Sequence, residues 1–361
     1  MSDAGPPCAA SNRPRLRCNS PVSLGSDGGI SYGWLAVNDR GLLVAMIRPA
    51  IPAIELRTFF PDGGGTKLFV PTNGAATSVS VAGNGPYWGL AWSEMQRVSC
   101  LSSDGGLVDL AAGTGVGEVS IAVNEQGGIG ITARPINSAP GLMGASDLGC
   151  PTALRPMVKP GFSSVFPTGV VATVLPNTRS ALDFRFGAVE DVNVYNGVHG
   201  TFGLAADGGV DLALYFQFGD PSFDVSGAMS GDGQSLMISY QGTISDGGDG
   251  LKVKPMPTDF SSPTAVGREV MSDAKTWGSS TCGPACFATV GVLRNSPVTL
   301  RASFVSADSV AADLAGGTWD IACARSLNPL SAAPTLAFGK LHVLYSDAAK
   351  NELYVCDLPA F

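Results

Sequence analysis

Few side chains in this sequence are of a type and spacing that could do chemistry. There are two histidines. His342 lies in the apolar run Leu341-His342-Val343, where a satisfied core histidine is the expected role. His199 lies in Gly197-Val198-His199-Gly200, which reads as a turn. This supports neither a histidine-rich metal centre nor a Ser-His-Asp triad, and no catalytic residue is assigned. Cys282-Gly283-Pro284-Ala285-Cys286 has three residues between its thiols. A thioredoxin-type pair needs two, with a helix start to lower the thiol pKa, so a disulfide pinning a loop is expected. Asp246-Gly247-Gly248-Asp249-Gly250 offers two hard oxygen donors on a glycine-rich turn, part of what a Ca²⁺ site requires. A structural calcium at Asp246 and Asp249 is thus one expectation and a solvated turn the other; no further cofactor is implied. Glu94, Glu118, Glu125 and Asp183 lie near strand ends, and would serve glycoside cleavage only if the fold gathered two or three of them. Trp88, Leu90 and Trp92 share one strand face by alternation, as core residues would. Trp277 and Trp319 stand beside turn residues (Gly278-Ser279-Ser280 and Gly316-Gly317-Thr318) and are the candidates for stacking on a ligand.

The elements that must position these groups are announced by a repeated turn. Ser102-Ser103-Asp104-Gly105-Gly106-Leu107 has relatives in Ser26-Asp27-Gly28-Gly29-Ile30 and Ala206-Asp207-Gly208-Gly209-Val210. Looser copies are Asp62-Gly63-Gly64-Gly65, Glu125-Gln126-Gly127-Gly128-Ile129 and Gly231-Asp232-Gly233-Gln234. Glycine supplies the positive φ of a tight hairpin and aspartate a local hydrogen bond. The copies share no common ligand set, so the motif reads as structural. Between the turns lie runs rich in Val, Ile, Leu, Ala and aromatics. Strand pairs are expected at 30–37 with 42–47, 87–92 with 97–101, 119–123 with 129–133 and 170–174 with 182–186. Further pairs are 201–205 with 210–216, 235–240 with 251–254, 287–292 with 298–304 and 341–345 with 352–356. Near-continuous apolar runs indicate strands covered on both faces. The alternation in Ile54-Glu55-Leu56-Arg57-Thr58-Phe59-Phe60 suits a strand nearer the outside.

A lone hairpin is marginal, but stacked sheets closed into a ring bury both faces and leave only short edges. The fold expected is therefore all-β, a β-propeller of four-stranded antiparallel blades. At ~40–50 residues per blade, some neighbouring hairpins must share one. Seven blades is the preferred count, with six and eight open. Residues 1–22, polar and proline-rich, read as a tether or strap, and residues 23–361 as a single propeller domain.

The composition narrows the class. Of 361 residues 45% are hydrophobic and only 14% charged, with 47 glycines and 25 prolines spread between the apolar runs. The net charge is -8. Basic patches interleaved with aromatics are missing, so no nucleic-acid partner is expected. No apolar run reaches the ~18 residues of a membrane span. The eight cysteines are Cys8, Cys18, Cys100, Cys150, Cys282, Cys286, Cys323 and Cys356. An even count in a lysine-poor β-protein favours disulfides and an oxidising compartment. Proximity suggests Cys8–Cys18, Cys282–Cys286 and Cys323–Cys356, leaving Cys100–Cys150.

Tyr87-Trp88-Gly89-Leu90-Ala91-Trp92-Ser93-Glu94, and Leu341-His342-Val343-Leu344-Tyr345-Ser346-Asp347 followed by Glu352-Leu353-Tyr354-Val355, resemble strand–turn–strand units of secreted or lipid-anchored bacterial β-propeller proteins. The resemblance covers residues 23–361 and concerns architecture. It implies an extracytoplasmic place: secreted, periplasmic, or attached to the outer membrane as a lipoprotein. The expected function is a non-enzymatic binding or scaffold module, monomeric, with a protein or glycan partner at the cell surface. The alternative is a glycan-active propeller enzyme, a glycoside hydrolase or lyase, with carboxylates in the central funnel. Ser102-Ser103-Asp104-Gly105-Gly106 also resembles the first half of the Asp-box turn of sialidase-like propellers, without the aromatic that follows there.

Overall fold

The structure, a computed structural model, describes residues 14–25, 33–48, 50–112, 115–136, 143–156, 167–174, 184–193, 196–204, 210–211, 215–217, 222–229, 235–243, 249–257, 268–272, 274–283, 286–293, 299–306, 317–323, 329–347 and 351–359. From 157 to 249 it describes strand backbone, with side-chain surroundings for Ser239 alone.

The described strands form seven antiparallel sheets. The short β1 (Val22–Ser23) belongs to the last of them. The first sheet is β2 (Gly33–Asn38), β3 (Gly41–Arg48), β4 (Ala53–Phe59) and β5 (Gly65–Pro71). The second is β6 (Ala76–Asn84), β7 (Tyr87–Glu94), β8 (Arg97–Ser102) and β9 (Leu107–Ala111), and the third β10 (Val116–Val123), β11 (Gly128–Pro135), β12 (Met143–Leu148) and β13 (Arg155–Pro156). The fourth contains β14 (Pro167–Val174), β15 (Phe184–Asn193) and β16 (Asn196–Leu204), with β17 (Val210–Asp211) and β18 (Tyr215–Gln217) both pairing with β16. The fifth is β19 (Ser222–Met229), β20 (Ser235–Thr243), β21 (Asp249–Pro257) and β22 (Arg268–Ser272). The sixth is β23 (Ala274–Gly283), β24 (Cys286–Leu293), β25 (Thr299–Ser306) and β26 (Thr318–Cys323). The closing sheet takes β27 (Pro329–Ala337), β28 (Lys340–Asp347) and β29 (Asn351–Asp357), and borrows β1 as its outermost strand.

Strands β2, β6, β10, β14, β19, β23 and β27 neighbour one another in that order, and β27 returns to β2. The sheets therefore stand around an axis as a propeller. The described parts of all expected strand pairs lie within this pattern. The pairs at 170–186 and 201–216 share the fourth sheet, as the length argument required.

Alternation sends the two faces of each sheet into different cores. Leu43, Ala45 and Ile47 meet Val79, Val81, Leu90 and Trp92 between the first two sheets, with Trp88 packed alongside, so the Trp88-Leu90-Trp92 face is core as expected. Ala91, Val98 and Cys100 meet Val119, Ile121 and Ile131 across the next seam. Around the axis the inner strands come very close. A Cβ on Gly83 would lie 2.4 Å from the Val37 carbonyl oxygen, and one on Gly278 would lie 2.7 Å from that of Ala332. Small hydroxyls stitch these seams. Val119 N–H donates to Ser78 Oγ and Ile121 N–H to Ser80 Oγ, both at 3.3 Å, and Ser239 Oγ meets Ser279 Oγ at 2.5 Å.

The repeated turn has one geometry wherever it is described. In Phe60–Gly64, Ser102–Gly106 and Asn124–Gly128 the first residue's N–H donates to the carbonyl of the fifth, and the fourth residue's N–H donates back to the first carbonyl. Gly105, the fourth residue of its turn, has φ +88°. Asp104 Oδ1 accepts from Ser102 Oγ and from the Gly106 N–H. In a four-strand meander, turns between strands one and two, or three and four, fall at the same end; these three turns all do. The copies at 26–29, 206–209 and 231–234 lie outside the described residues.

The N-terminal residues are built into the ring. Asp320 N–H of β26 donates to the Pro14 carbonyl, and Leu16 N–H donates to the Asp320 carbonyl, each at 3.0 Å. Leu16 enters the core between the sixth and closing sheets. Asn19 N–H donates to the Val355 carbonyl, and Val22 and Ser23 pair with Leu353 and Glu352. Residues 14–23 thus strap the outer strand of one sheet to the next, and Leu24 fills the core between the closing and first sheets.

Three disulfides lie among the described residues: Cys18–Cys356, Cys100–Cys150 and Cys282–Cys286. The last two match expectation. The first overturns both Cys8–Cys18 and Cys323–Cys356. Proximity in sequence misled there because ring closure brings positions 338 residues apart side by side. Cys8 lies outside the described residues, and Cys323 is described only as backbone in β26.

Candidate functional site

The residues singled out in the sequence are not gathered into one place. Trp277 is in the middle of β23, paired with Gly291, rather than beside a turn; its side chain is outside the described residues. Trp319 is on β26 at the other side of the same sheet, half-buried and edge-on to Phe304 at 5.3 Å between ring centroids. Two strands separate them, so they cannot form one stacking platform. Asp246 lies outside the described residues, and Asp249 opens β21 opposite Thr243. His199 sits within β16, paired with Val189 and Phe216, where a turn was expected. His342 is buried in β28, its Nδ1 3.2 Å from the Lys340 carbonyl oxygen, and burial pushes its pKa down.

Of the candidate carboxylates, Glu94 and Glu118 follow residues that touch across the seam, Ser93 Oγ donating to the Gly117 carbonyl at 3.4 Å, but each is tied to its own partner. Glu94 is buried; its Oε1 accepts the Trp92 indole N–H at 2.6 Å and its Oε2 the Asn73 N–H at 3.0 Å. Glu118 lies 3.7 Å from Arg134 on the third sheet. Glu125 is in the turn at the far end of β10. From Glu118 to the end of β10 at Val123 the strand rises five residue steps, roughly 17 Å, and Glu125 lies beyond that. Glycosidase carboxylates stand at most about 9.5 Å apart. Asp183 lies outside the described residues.

A cluster the sequence did not flag stands at the outer half of the first sheet. Glu55, on β4, is wholly buried (0% exposed) and faces three cations. Arg48 Nε donates to Oε2, while Arg57 Nε and Lys67 Nζ reach Oε1 at 2.6 and 2.8 Å. Strand register explains the meeting: Glu55 is opposite Met46 and Phe69, and Arg57 is opposite Lys67, so all point to one face. Burial by itself would raise the Glu55 pKa. The hydrogen bonds from Arg57, Lys67 and Arg48 outweigh that and hold it below the usual carboxylate range. The arginines also reach across the seam, donating to the Leu24 carbonyl at 2.7 Å from Arg48 and 2.8 Å from Arg57. The polar face that reads as outward in Ile54–Phe60 is therefore covered by the N-terminal strap.

The cluster ends at an open edge. β5 is the outermost strand of its sheet, and six of its seven residues are exposed. Lys67 is 47% exposed and lies over the Phe69 ring, 4.8 Å from its centroid. Leu68 and Phe69 are each 44% exposed and point to opposite faces. The strand across the seam, β1, is only two residues long and leaves this part uncovered. Exposed apolar groups also stand at strand ends, such as Leu107 of β9 and Leu148 of β12, and on turn tips. Met95 is 75% exposed at φ +39°, and Phe338 is exposed at φ +52° beside His342. Positive φ is uncommon for non-glycine residues. Met95 joins strands two and three of its sheet, whereas Phe338 joins strands one and two of the closing sheet, so they mark opposite ends of the ring.

Among the described residues no group of three or more His, Cys, Asp or Glu is placed to hold a metal ion. No described helix is long and apolar enough to cross a membrane.

No protein-family model matches this chain, and no curated protein matches it. Solved structures do. A hydrazine synthase chain from Kuenenia stuttgartiensis is 10% identical, with a TM-score of 0.56 over 89% of this chain and 94% of that one. Virginiamycin B lyase from Staphylococcus aureus is 11% identical, with a TM-score of 0.52 over 94% of this chain and 99% of that one. A Trypanosoma rangeli sialidase is 10% identical, with a TM-score of 0.50 over 95% of this chain and 58% of that one. At these identities the likeness is one of fold alone. The chain is an all-β protein of four-stranded antiparallel sheets whose structural neighbours are β-propellers.

Proposed function

We propose that this chain is an extracytoplasmic β-propeller that binds a protein or glycan partner and does not transform it. The observation carrying this reading is how its polar and apolar groups are distributed. Glu94 and Glu118 are engaged by separate structural partners, and Glu125 stands at the other end of its strand. Large apolar side chains meanwhile remain exposed where a partner can reach them, on β5 and on hairpin tips. Disulfides at Cys18–Cys356 and Cys100–Cys150, which hold distant parts of the chain, support an oxidising compartment. The net charge of -8 supports solubility.

Two measurements test the reading. Protein taken from its native compartment, denatured without reductant and exposed to a thiol-alkylating reagent, is expected to stay unlabelled at Cys18, Cys100, Cys150, Cys282, Cys286 and Cys356. Quantitative labelling of all six removes the extracytoplasmic assignment. A glycan array and a panel of glycoside substrates are then applied to the same sample. Binding without turnover is expected. Turnover abolished by a single carboxylate substitution replaces the binding module with a glycan-active enzyme.

A further inference from the structure

We infer that β5 is a docking edge for an extended acidic and apolar segment of a partner protein, which adds to the first sheet as a further strand. This rests on the binding-module reading and names the partner's chemistry.

Four observations converge on it. With seven residues, β5 is the longest outermost strand among those described; β26 has six, β9 and β22 five each, and the others fewer. No backbone group of residues 65–71 bonds to a described residue other than through β4. A strand edge with open N–H and C=O groups is a template for an incoming chain. The molecule already uses this mode on itself: Pro14 and Leu16 bond to Asp320 on the outer edge of β26, with Arg15 in parallel register. There Leu16 is buried by the addition, and at β5 the exposed Leu68 and Phe69 offer apolar surface to a comparable side chain.

Charge selects the occupant. A single oxygen of Glu55, Oε1, serves both Arg57 and Lys67, so this edge presents two cations on a chain of net charge -8. The two outer cations, Arg57 and Lys67, are the more exposed ones. A second copy of this chain would set one cationic cluster against another, which disfavours self-pairing. A foreign strand carrying Glu or Asp at alternate positions meets Lys67 and Arg57 with opposite charge, and its apolar positions, on the other face, meet Leu68.

The test uses the full chain and a fluorescein-labelled peptide of about ten residues alternating Glu and Val. A Lys and Val peptide of equal length serves as control. Fluorescence anisotropy and backbone amide exchange are the readouts. The expected result is saturable binding of the acidic peptide, roughly tenfold or more tighter than the basic one, with exchange slowed over residues 65–71. Lys67→Glu is expected to remove the preference for acid. Leu68→Ala changes an exposed apolar group outside the Glu55 cluster and keeps the test valid if charge reversal unsettles that cluster; it is expected to weaken binding severalfold at an unchanged melting temperature. Equal binding of both peptides, protection confined to another part of the ring, or no saturation at ~1 mM peptide, a Kd too weak to matter, overturns the inference. If glycan or protein binding persists in that case, the binding-module reading stands without the β5 edge. Turnover in the substrate panel removes that reading independently.

Discussion

The seam between the second and third sheets and the seam on either side of the closing sheet solve the same problem with different means. The first joins sheets that follow one another along the chain. Apolar packing of Ala91 and Cys100 against Ile121 and Ile131 suffices there, trimmed by Ser78 and Ser80 donor–acceptor contacts to the next strand. Cys100–Cys150 adds a covalent tie between these two sheets. The closing sheet must instead hold a strand from the opposite end of the chain. It does so with Cys18–Cys356 on one side and, on the other, the Glu55 cluster gripping the Leu24 carbonyl. Where the backbone is continuous, local turns keep neighbours together. Where it is not, the entropy of a very long loop must be offset by bonds that cannot slide.

The largest effect is expected from removing the covalent closure. In the chain-entropy model a bridge across 338 residues is worth about 6 kcal/mol, against about 2 kcal/mol for the Cys282–Cys286 hairpin bridge. The Cys18→Ser, Cys356→Ser double variant should therefore lose roughly 4–6 kcal/mol in urea unfolding, a large part of a typical domain's stability. A loss no greater than that of Cys282→Ser with Cys286→Ser would erase the contrast between the seams.

Next comes the ionic grip. Glu55→Gln takes the Glu55 carboxylate away from Arg48, 3% exposed, and breaking a buried pair in this way costs about 3–5 kcal/mol. Amide exchange should rise first at Leu24 and Gly25, with little change at Val119 and Ile121. Uniform acceleration would mean that the cluster does not belong to the closing seam in particular. The same group sets an acid limit. Its folded pKa lies below the ordinary value of 4.5. Its contribution is therefore present above that value and is lost as pH falls through the folded pKa. Wild type should lose stability from about pH 4.5 downward, and Glu55→Gln should flatten that limb in a pH series of melting curves.

At the continuous seam the effects should be small. Ser78→Ala and Ser80→Ala should each cost about 1 kcal/mol, measured as a shift in the urea midpoint. Smaller still, Asp104→Ala removes acceptors for Ser102 and Gly106 in an exposed turn and should cost no more than about 1 kcal/mol. A loss above 3 kcal/mol at either place would show that turns and hydroxyls hold the ring as strongly as the closure does.

Much of the fold was legible in the sequence. Asp-Gly-Gly spacing located the turns because glycine at positive φ leaves few alternatives. Alternation in Trp88, Leu90 and Trp92 identified a core face. Cys282–Cys286 was legible because it joins one hairpin, whereas Cys100–Cys150 was reached only as the remainder of a set of pairings, two of which the ring overturns. What remained hidden depended on contacts between distant residues. Val22 and Ser23 carry no period of their own, and their pairing with Leu353 and Glu352 exists only once the ring has formed. Alternation could mark the Glu55 face as polar but could not say that residues 24–25 cover it. Trp277 looked like a loop residue because Gly278, Ser279 and Ser280 follow it. Those small residues are there because β23 runs close against β27, and Ser279 meets Ser239. The candidate site was less legible still, since an open strand edge is defined by what does not pair with it.

The borrowed strand also sets an order of events. Val22 and Ser23 leave the ribosome long before their partners Leu353 and Glu352. The earlier segment must wait for the later one before the ring can shut. Until then the outer side of β29 and the cluster around Glu55 lack their cover. Loss of β29 would thus release β1 as well, leaving the strap fastened only at Asp320.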